Sequence, residues 1–124
     1  AVIINAQAGD QVSGSIKLAF NNLSATSNRI VVLNNFANTI HATTKNLSHA
    51  NKVLGVLGAD GSTVTFGLMT SNTWNWSPDQ TLYLGDDGEI VTSSAIDGSV
   101  FSLPVGYAVS STRIFVRLGT PVLL

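Results

Sequence analysis

Cysteine is absent from this chain of 124 residues. No disulfide framework can staple it, and the sulfur-rich tetrahedral sites that hold structural zinc cannot form. Charge is scarce too: only 10% of residues are Asp, Glu, Lys or Arg, and the formal net charge is −1. Without a basic field to gather phosphates, nucleic acid is not an expected partner. No apolar run approaches the roughly 20 residues of a membrane-spanning helix, so no membrane insertion is expected. The opening AVIINAQAG is too short for a signal peptide and lacks its basic flank. Because the chain opens on Ala1 and not Met, it reads as a processed product or a piece of something longer.

Neutral polar residues fill the place that charge leaves. Ser, Thr and Asn together number 37, well above ordinary usage. Such a surface bonds to water through hydroxyls and amides, as extracellular or particle-bound proteins often do. The length suits a single domain spanning 1–124, with one core and little room for a second.

Helical periodicity is nearly missing. Leu47, Ala50 and Leu54 fall at helical spacing, but Gly55 and β-branched neighbours limit that stretch to one short turn. Elsewhere, short runs rich in Val, Ile, Thr and aromatics alternate with Gly, Asn, Asp and Ser. They predict strands at Ala1–Ile4, Ile16–Phe20, Arg29–Leu33, Lys52–Val56, Ser62–Met69, Thr81–Leu84, Glu89–Thr92, Val100–Leu103, Val105–Ala108 and Ile114–Leu118. Ala59-Asp60-Gly61 and Asp86-Asp87-Gly88 supply hairpin turns, since Asp and Gly tolerate positive φ. About ten short strands of this kind predict an all-β small barrel or sandwich.

The halves also echo one another. AGDQVSGSIKLAF, RIVVL and NKVLGVLGADGSTVTFGL are answered by SPDQTLYL, GEIVT and LPVGYAVSSTRIFVRL. This alignment sets pseudo-repeats at 8–70 and 77–122. It pairs Asp10 with Asp79, Gly55 with Gly106, and Phe66 with Phe115 or Val116. It leaves NNFANTIHATTKNLSHA as an insertion in the first half. Gly55 and Gly106, inside strand patterns, are expected where the two halves meet.

The order GDQV, VLGV, DQTLYLGDDGEIVT and PVGYAVSSTRIFVRLGTPV resembles a β module of tailed-bacteriophage virion proteins. That module ends fibre and collagen-like proteins and recurs in capsid-decorating proteins. The strand roles fall on Leu82-Tyr83-Leu84, Gly85 to Gly88, Val105 to Ser110, Ile114-Phe115-Val116 and Pro121-Val122. The likeness is strong over 79–122 and weaker over 8–70. It implies a non-enzymatic structural role on the virion surface, as a fibre tip or capsid decoration exposed for host contact. Implied partners are two further copies in a homotrimer and other virion proteins, while the resemblance names no ligand; a host-surface glycan enters only through the tryptophans considered next.

No catalytic set stands out. No serine sits in a G-x-S-x-G elbow, and neither histidine has an acid beside it in sequence. His41 and His49 are expected exposed in the insertion, too few for zinc. Asp86, Asp87 and Glu89 read as a turn and not a calcium loop. No metal or cofactor is expected. The sharpest candidate is SNTWNW. Trp74 and Trp76 alternate, so on an extended segment they share one face, flanked by Asn72 and Asn75. Indole faces stack on sugar rings, and Asn side chains bond hydroxyls. The same rings could instead close the core or a subunit interface. A monomeric carbohydrate-binding β-sandwich using this pair is therefore the alternative reading, and a glycan hydrolase stands third with no motif behind it. The apolar ending LGTPVLL is expected buried in the barrel or against another chain.

Overall fold

The computed structural model describes residues 15–22 and 25–124. The strand expected at Ala1–Ile4 and the Asp10 half of the Asp10–Asp79 echo lie outside them. Eleven strands follow in chain order: β1 Ser15–Ala19, β2 Ile30–Leu33, β3 Thr39–His41, β4 Gly55–Leu57, β5 Ser62–Thr70, β6 Thr81–Leu84, β7 Ile90–Val91, β8 Phe101–Ser102, β9 Pro104–Ala108, β10 Arg113–Arg117 and β11 Val122–Leu123. Leu47–His49 forms a single 3₁₀ turn capped by Asn46, whose side chain accepts from Ser48 N–H. That is all that becomes of the weak helical spacing.

The all-β expectation holds. One antiparallel sheet runs β3-β2-β4-β5-β10-β9-β6-β7, with β1 also on β5, and β11 pairs β8 in a small second sheet. β5 is the hub. β1 occupies one edge of it from Ser62 to Gly67. The other edge is shared in succession by β4, at Thr63–Val64, and by β10, at Phe66–Thr70. The sheet curls, and its two ends meet through backbone. Ile30 N–H donates to Gly88 O at 2.7 Å, Gly88 N–H to Ala42 O at 2.6 Å, and Thr44 N–H to Gly85 O at 3.3 Å. Gly88 has φ 73°, and a Cβ there would press on Ile30 O. Only glycine lets the β6–β7 turn approach so closely.

The register repeats with a displacement of 51 residues. Ile30↔Val56 becomes Thr81↔Tyr107, and Val31↔Gly55 becomes Leu82↔Gly106. Val32↔Ile40 becomes Tyr83↔Val91. Leu57↔Thr63 becomes Ala108↔Ile114, and Leu18↔Thr63 becomes Met69↔Ile114. Loop details obey the same shift. Asn28 and Asp79 both take positive φ, 65° and 68°. Their N–H groups donate to Leu57 O and Ala108 O, each at 2.7 Å.

The units therefore cover 15–65 and 66–116, and their boundary falls inside β5. This corrects the halves 8–70 and 77–122. NNFANTIHATTKNLSHA is no insertion, because it holds β3, whose counterpart is β7. Of the expected correspondences, Gly55 with Gly106 stands. Asp79 answers to Asn28, and Phe115 to Val64.

Antiparallel partners point to the same side of a sheet, and the core cluster draws on one side of each unit, although Val31, Leu57 and Thr63 on the other side of the first unit are buried as well. In the first unit the core side carries Ile30, Val32, Val56 and Val64; in the second it carries Leu82, Leu84, Ala108, Ile114 and Val116. β5 changes sides midway, with Val64 and then Met69 facing in. A register shift between Ile16 and Lys17 on β1 marks the place. Phe101 fills the core at 0% exposure. The ending is not buried in the barrel: Val122, Leu123 and Leu124 are exposed, although β11 fastens them to β8. Among the described residues, no helix is long and apolar enough to cross a membrane.

Candidate functional site

Ser71 to Gln80 links β5 to β6, and backbone bonds lay it along the β9–β10 turn. Ser71 N–H donates to Thr112 O, Trp76 N–H to Ser111 O and Asp79 N–H to Ala108 O, at 2.9, 2.9 and 2.7 Å. Ser71 Oγ accepts from Asn28 Nδ2 at 3.1 Å and lies 2.8 Å from Thr73 Oγ1. The loop is thus fixed at both ends and braced in the middle.

Trp74 and Trp76 are half-buried against the core. Their ring centroids stand 6.3 Å apart with planes inclined at 46°, so they form a wedge and not a flat platform. Beside them is a shallow cavity of ≈ 210 Å³ lined by Asn28, Arg29, Trp74, Trp76, Glu89 and Ile90. Apolar ring surface, a guanidinium, a carboxylate and an amide converge there. Arg29 is held by Asp87: its NH1 donates to Asp87 O at 2.8 Å and lies 3.5 Å from Asp87 Oδ2. The indole Nε1 of Trp76 is buried with no hydrogen-bond partner among the described residues. A buried N–H left unpaired is unfavourable.

The four expected site residues separate. Trp74 and Trp76 line the cavity, but Asn72 and Asn75 are exposed and do not. Asn28, Arg29, Glu89 and Ile90 join the tryptophans from distant positions. No short spacing in the sequence marks them, because the curl of the sheet brings them in.

The histidines also depart from expectation. His49 is 9% exposed, and the His41 side chain is 16% exposed. His41 does have an acidic neighbour, since its Nδ1 lies 2.9 Å from Asp87 Oδ1. Thr26 N–H donates to His41 Nε2 at 3.0 Å, and Thr26 Oγ1 is 3.2 Å from the same nitrogen. With Nε2 accepting, Nδ1 carries the hydrogen and donates to Asp87. The order hydroxyl–imidazole–carboxylate looks like a nucleophile chain. Yet the backbone N–H already occupies the lone pair that a general base would need, so the contact fastens β3 to the β6–β7 turn.

Asp86 belongs to the same turn. It accepts from Thr43 Oγ1 at 2.8 Å and Lys45 Nζ at 3.0 Å. The Thr43 bond and then the Lys45 bond hold its carboxyl below the usual range. His49 Nδ1 accepts from Thr43 N–H at 3.1 Å. Burial, reinforced by the charge of Lys52, lowers the pKa of His49. Among the described residues no three His, Cys, Asp or Glu side chains gather as a metal site. In comparison with known proteins, the chain matches no family model, no curated protein and no solved structure.

Proposed function

We propose that this chain is a non-enzymatic structural module of a tailed-bacteriophage virion, standing at the particle surface as the tip of a trimeric fibre or as a capsid decoration. The observation that carries the reading is the low-charge sheet built twice over on one register. Such a scaffold is stiff because both its ends and its long loop are tied by backbone bonds. It is water-compatible through Ser, Thr and Asn. The resemblance over 79–122 supplies the virion context. Electron microscopy of particles made by the genome that encodes this chain, labelled with antibodies against it, tests the proposal. Label on head or tail is expected, and purified particles lacking the chain would overturn it.

A second reading has an observation of its own. The cavity between Trp74, Trp76, Arg29 and Glu89 combines ring surface with hydrogen-bonding groups of both kinds. That is the chemistry of a sugar contact. In this reading the module binds a host-surface glycan, and the two indoles report it. Titration with host-surface glycans should shift the tryptophan emission of the intact chain, and an unchanged spectrum at millimolar glycan would sink the idea.

A further inference from the structure

Two opposite charges line the cavity beside the tryptophans: one guanidinium, Arg29, and one carboxylate, Glu89. Glu89 makes no ion pair among the described residues. Backbone sets its place, since Glu89 N–H donates to Asp86 O at 3.0 Å and Gly85 N–H to Glu89 O at 2.8 Å. Arg29 is engaged by Asp87 through NH1, which leaves Nε and NH2 without a partner among the described residues. A site lined by one charge of each sign fits a ligand that itself carries both.

The rings select the cation. Trp74 and Trp76 open as a wedge, with centroids 6.3 Å apart. A cation held over an aromatic face sits within about 6 Å of the ring centroid, and one cation in the wedge can meet that limit at both rings. Planes inclined at 46° offer no single platform across the two indoles for a sugar ring to stack on. Quaternary ammonium suits the wedge better than a primary amine. Its methyls pack on the rings and on Ile90, and it has no N–H left to satisfy. Size points the same way. The cavity, at ≈ 210 Å³, is smaller than the roughly 300 Å³ at which pockets for drug-sized ligands begin. It admits a headgroup and not an oligosaccharide.

We propose that this cavity binds phosphocholine, with the trimethylammonium between Trp74 and Trp76 beside Glu89 and the phosphate on Arg29. A guanidinium fork with two nitrogens free matches phosphate oxygens. The loop that carries the wedge is already fixed by backbone bonds, so little ordering accompanies binding. The proposal rests on the second reading above only in taking the cavity as a contact site, and it names the group recognised there. A decorated surface glycan and a lipid can both present this headgroup, and the cavity reads the chemistry they share.

Tryptophan emission of the intact chain, titrated with phosphocholine, tests the proposal, with thermal melts confirming that each variant is folded. Phosphocholine should give a saturable shift, and phosphoethanolamine, which lacks the methyls, should bind about tenfold more weakly. Glu89→Gln should weaken choline and phosphocholine alike by about tenfold, whereas Arg29→Gln should weaken phosphocholine alone. If Arg29→Gln melts early, Arg29→Lys, which keeps the charge and loses the fork, should show the same selectivity. No saturable response at millimolar phosphocholine would overturn the proposal, as would equal affinity for phosphoethanolamine or indifference to both substitutions. A response to neutral glycans with none to phosphocholine would overturn it and leave the sugar contact standing. The reverse result would support it and remove the sugar contact. Phosphatidylcholine vesicles then distinguish the sources. Co-sedimentation of the chain with them assigns the headgroup to a lipid, and binding of free phosphocholine without co-sedimentation assigns it to a surface glycan.

Discussion

Gly55 and Gly106 stand one repeat apart and confront the same atom of their hairpin partners: a Cβ on Gly55 would collide with the carbonyl oxygen of Val64, and one on Gly106 with that of Phe115. Their φ values, 150° and 152°, are nearly identical. The crowding arises within each hairpin and not between the halves, as the sequence had suggested. Gly55→Ala and Gly106→Ala should each destabilise by about 3 kcal/mol, combining backbone strain with overpacking. Thermal melts of the two variants check this, and a variant that melts like the parent would refute the close approach at its site.

Thr63 is 1% exposed, and its hydroxyl has no partner among the described residues. One repeat later the place is taken by Ile114, a core residue. Replacing the unbonded hydroxyl by a methyl removes a desolvated polar group without changing shape. Thr63→Val should therefore stabilise by about 1 kcal/mol. Chemical denaturation measures it, and a loss of stability would show that the hydroxyl is bonded after all.

His49 ties acid stability to burial. Its folded pKa lies below the ordinary value of 6.5, so the unfolded chain takes up the proton first as pH falls. The contribution of neutral His49 is complete above about pH 6.5 and is lost as pH drops toward the lowered folded pKa. Protonation also removes the acceptor that Thr43 N–H uses. Melting temperatures from pH 8 to pH 5 should decline, and His49→Gln should flatten the decline. Parallel curves for parent and variant would exclude His49 as the cause.

Trp76→Phe separates structure from recognition. The substitution removes the buried indole N–H while keeping most of the ring. Stability should stay within about 1 kcal/mol of the parent, because the lost packing is offset by the absent unpaired donor. Any glycan response should weaken, with Trp74 still present to report it. A melt lowered by several kcal/mol would show that the indole nitrogen has a structural partner.

Strand-rich architecture is legible in this sequence because period-two apolar runs and Asp-Gly turns act locally. β6 is found at its predicted bounds, Thr81–Leu84, and β5 is longer by one residue. β3 escapes because Thr-Ile-His offers a single apolar residue, with its burial supplied by distant segments. The repeat was seen but misaligned. Across the described positions of 15–65 and their counterparts in 66–116, only Asn21/Asn72, Leu33/Leu84, Ser48/Ser99 and Gly55/Gly106 keep the same residue. Burial is matched at some places, as at Val31/Leu82 and Leu57/Ala108, but not at others: Ile30, Val56 and Val64 are buried where Thr81, Tyr107 and Phe115 are not. The tryptophans were legible as candidates because they alternate. Arg29 and Glu89 were not, since nothing local distinguishes a cavity-lining charge from a solvated one.

A strand owned by two units sets the timetable of folding. The turns from Gly58 to Gly61 and from Val109 to Thr112 close short hairpins, events of roughly microseconds. Joining the rest is slower. β1 must find β5 across the span from Ala19↔Ser62 to Ser15↔Gly67, and β10 from Arg113↔Thr70 to Arg117↔Phe66. These two closures enclose loops of nearly equal length, so their entropic barriers are nearly equal. Neither half gains a head start, and both converge on the same template. Refolding in a single kinetic phase is the expected outcome, since both closures must find the same strand.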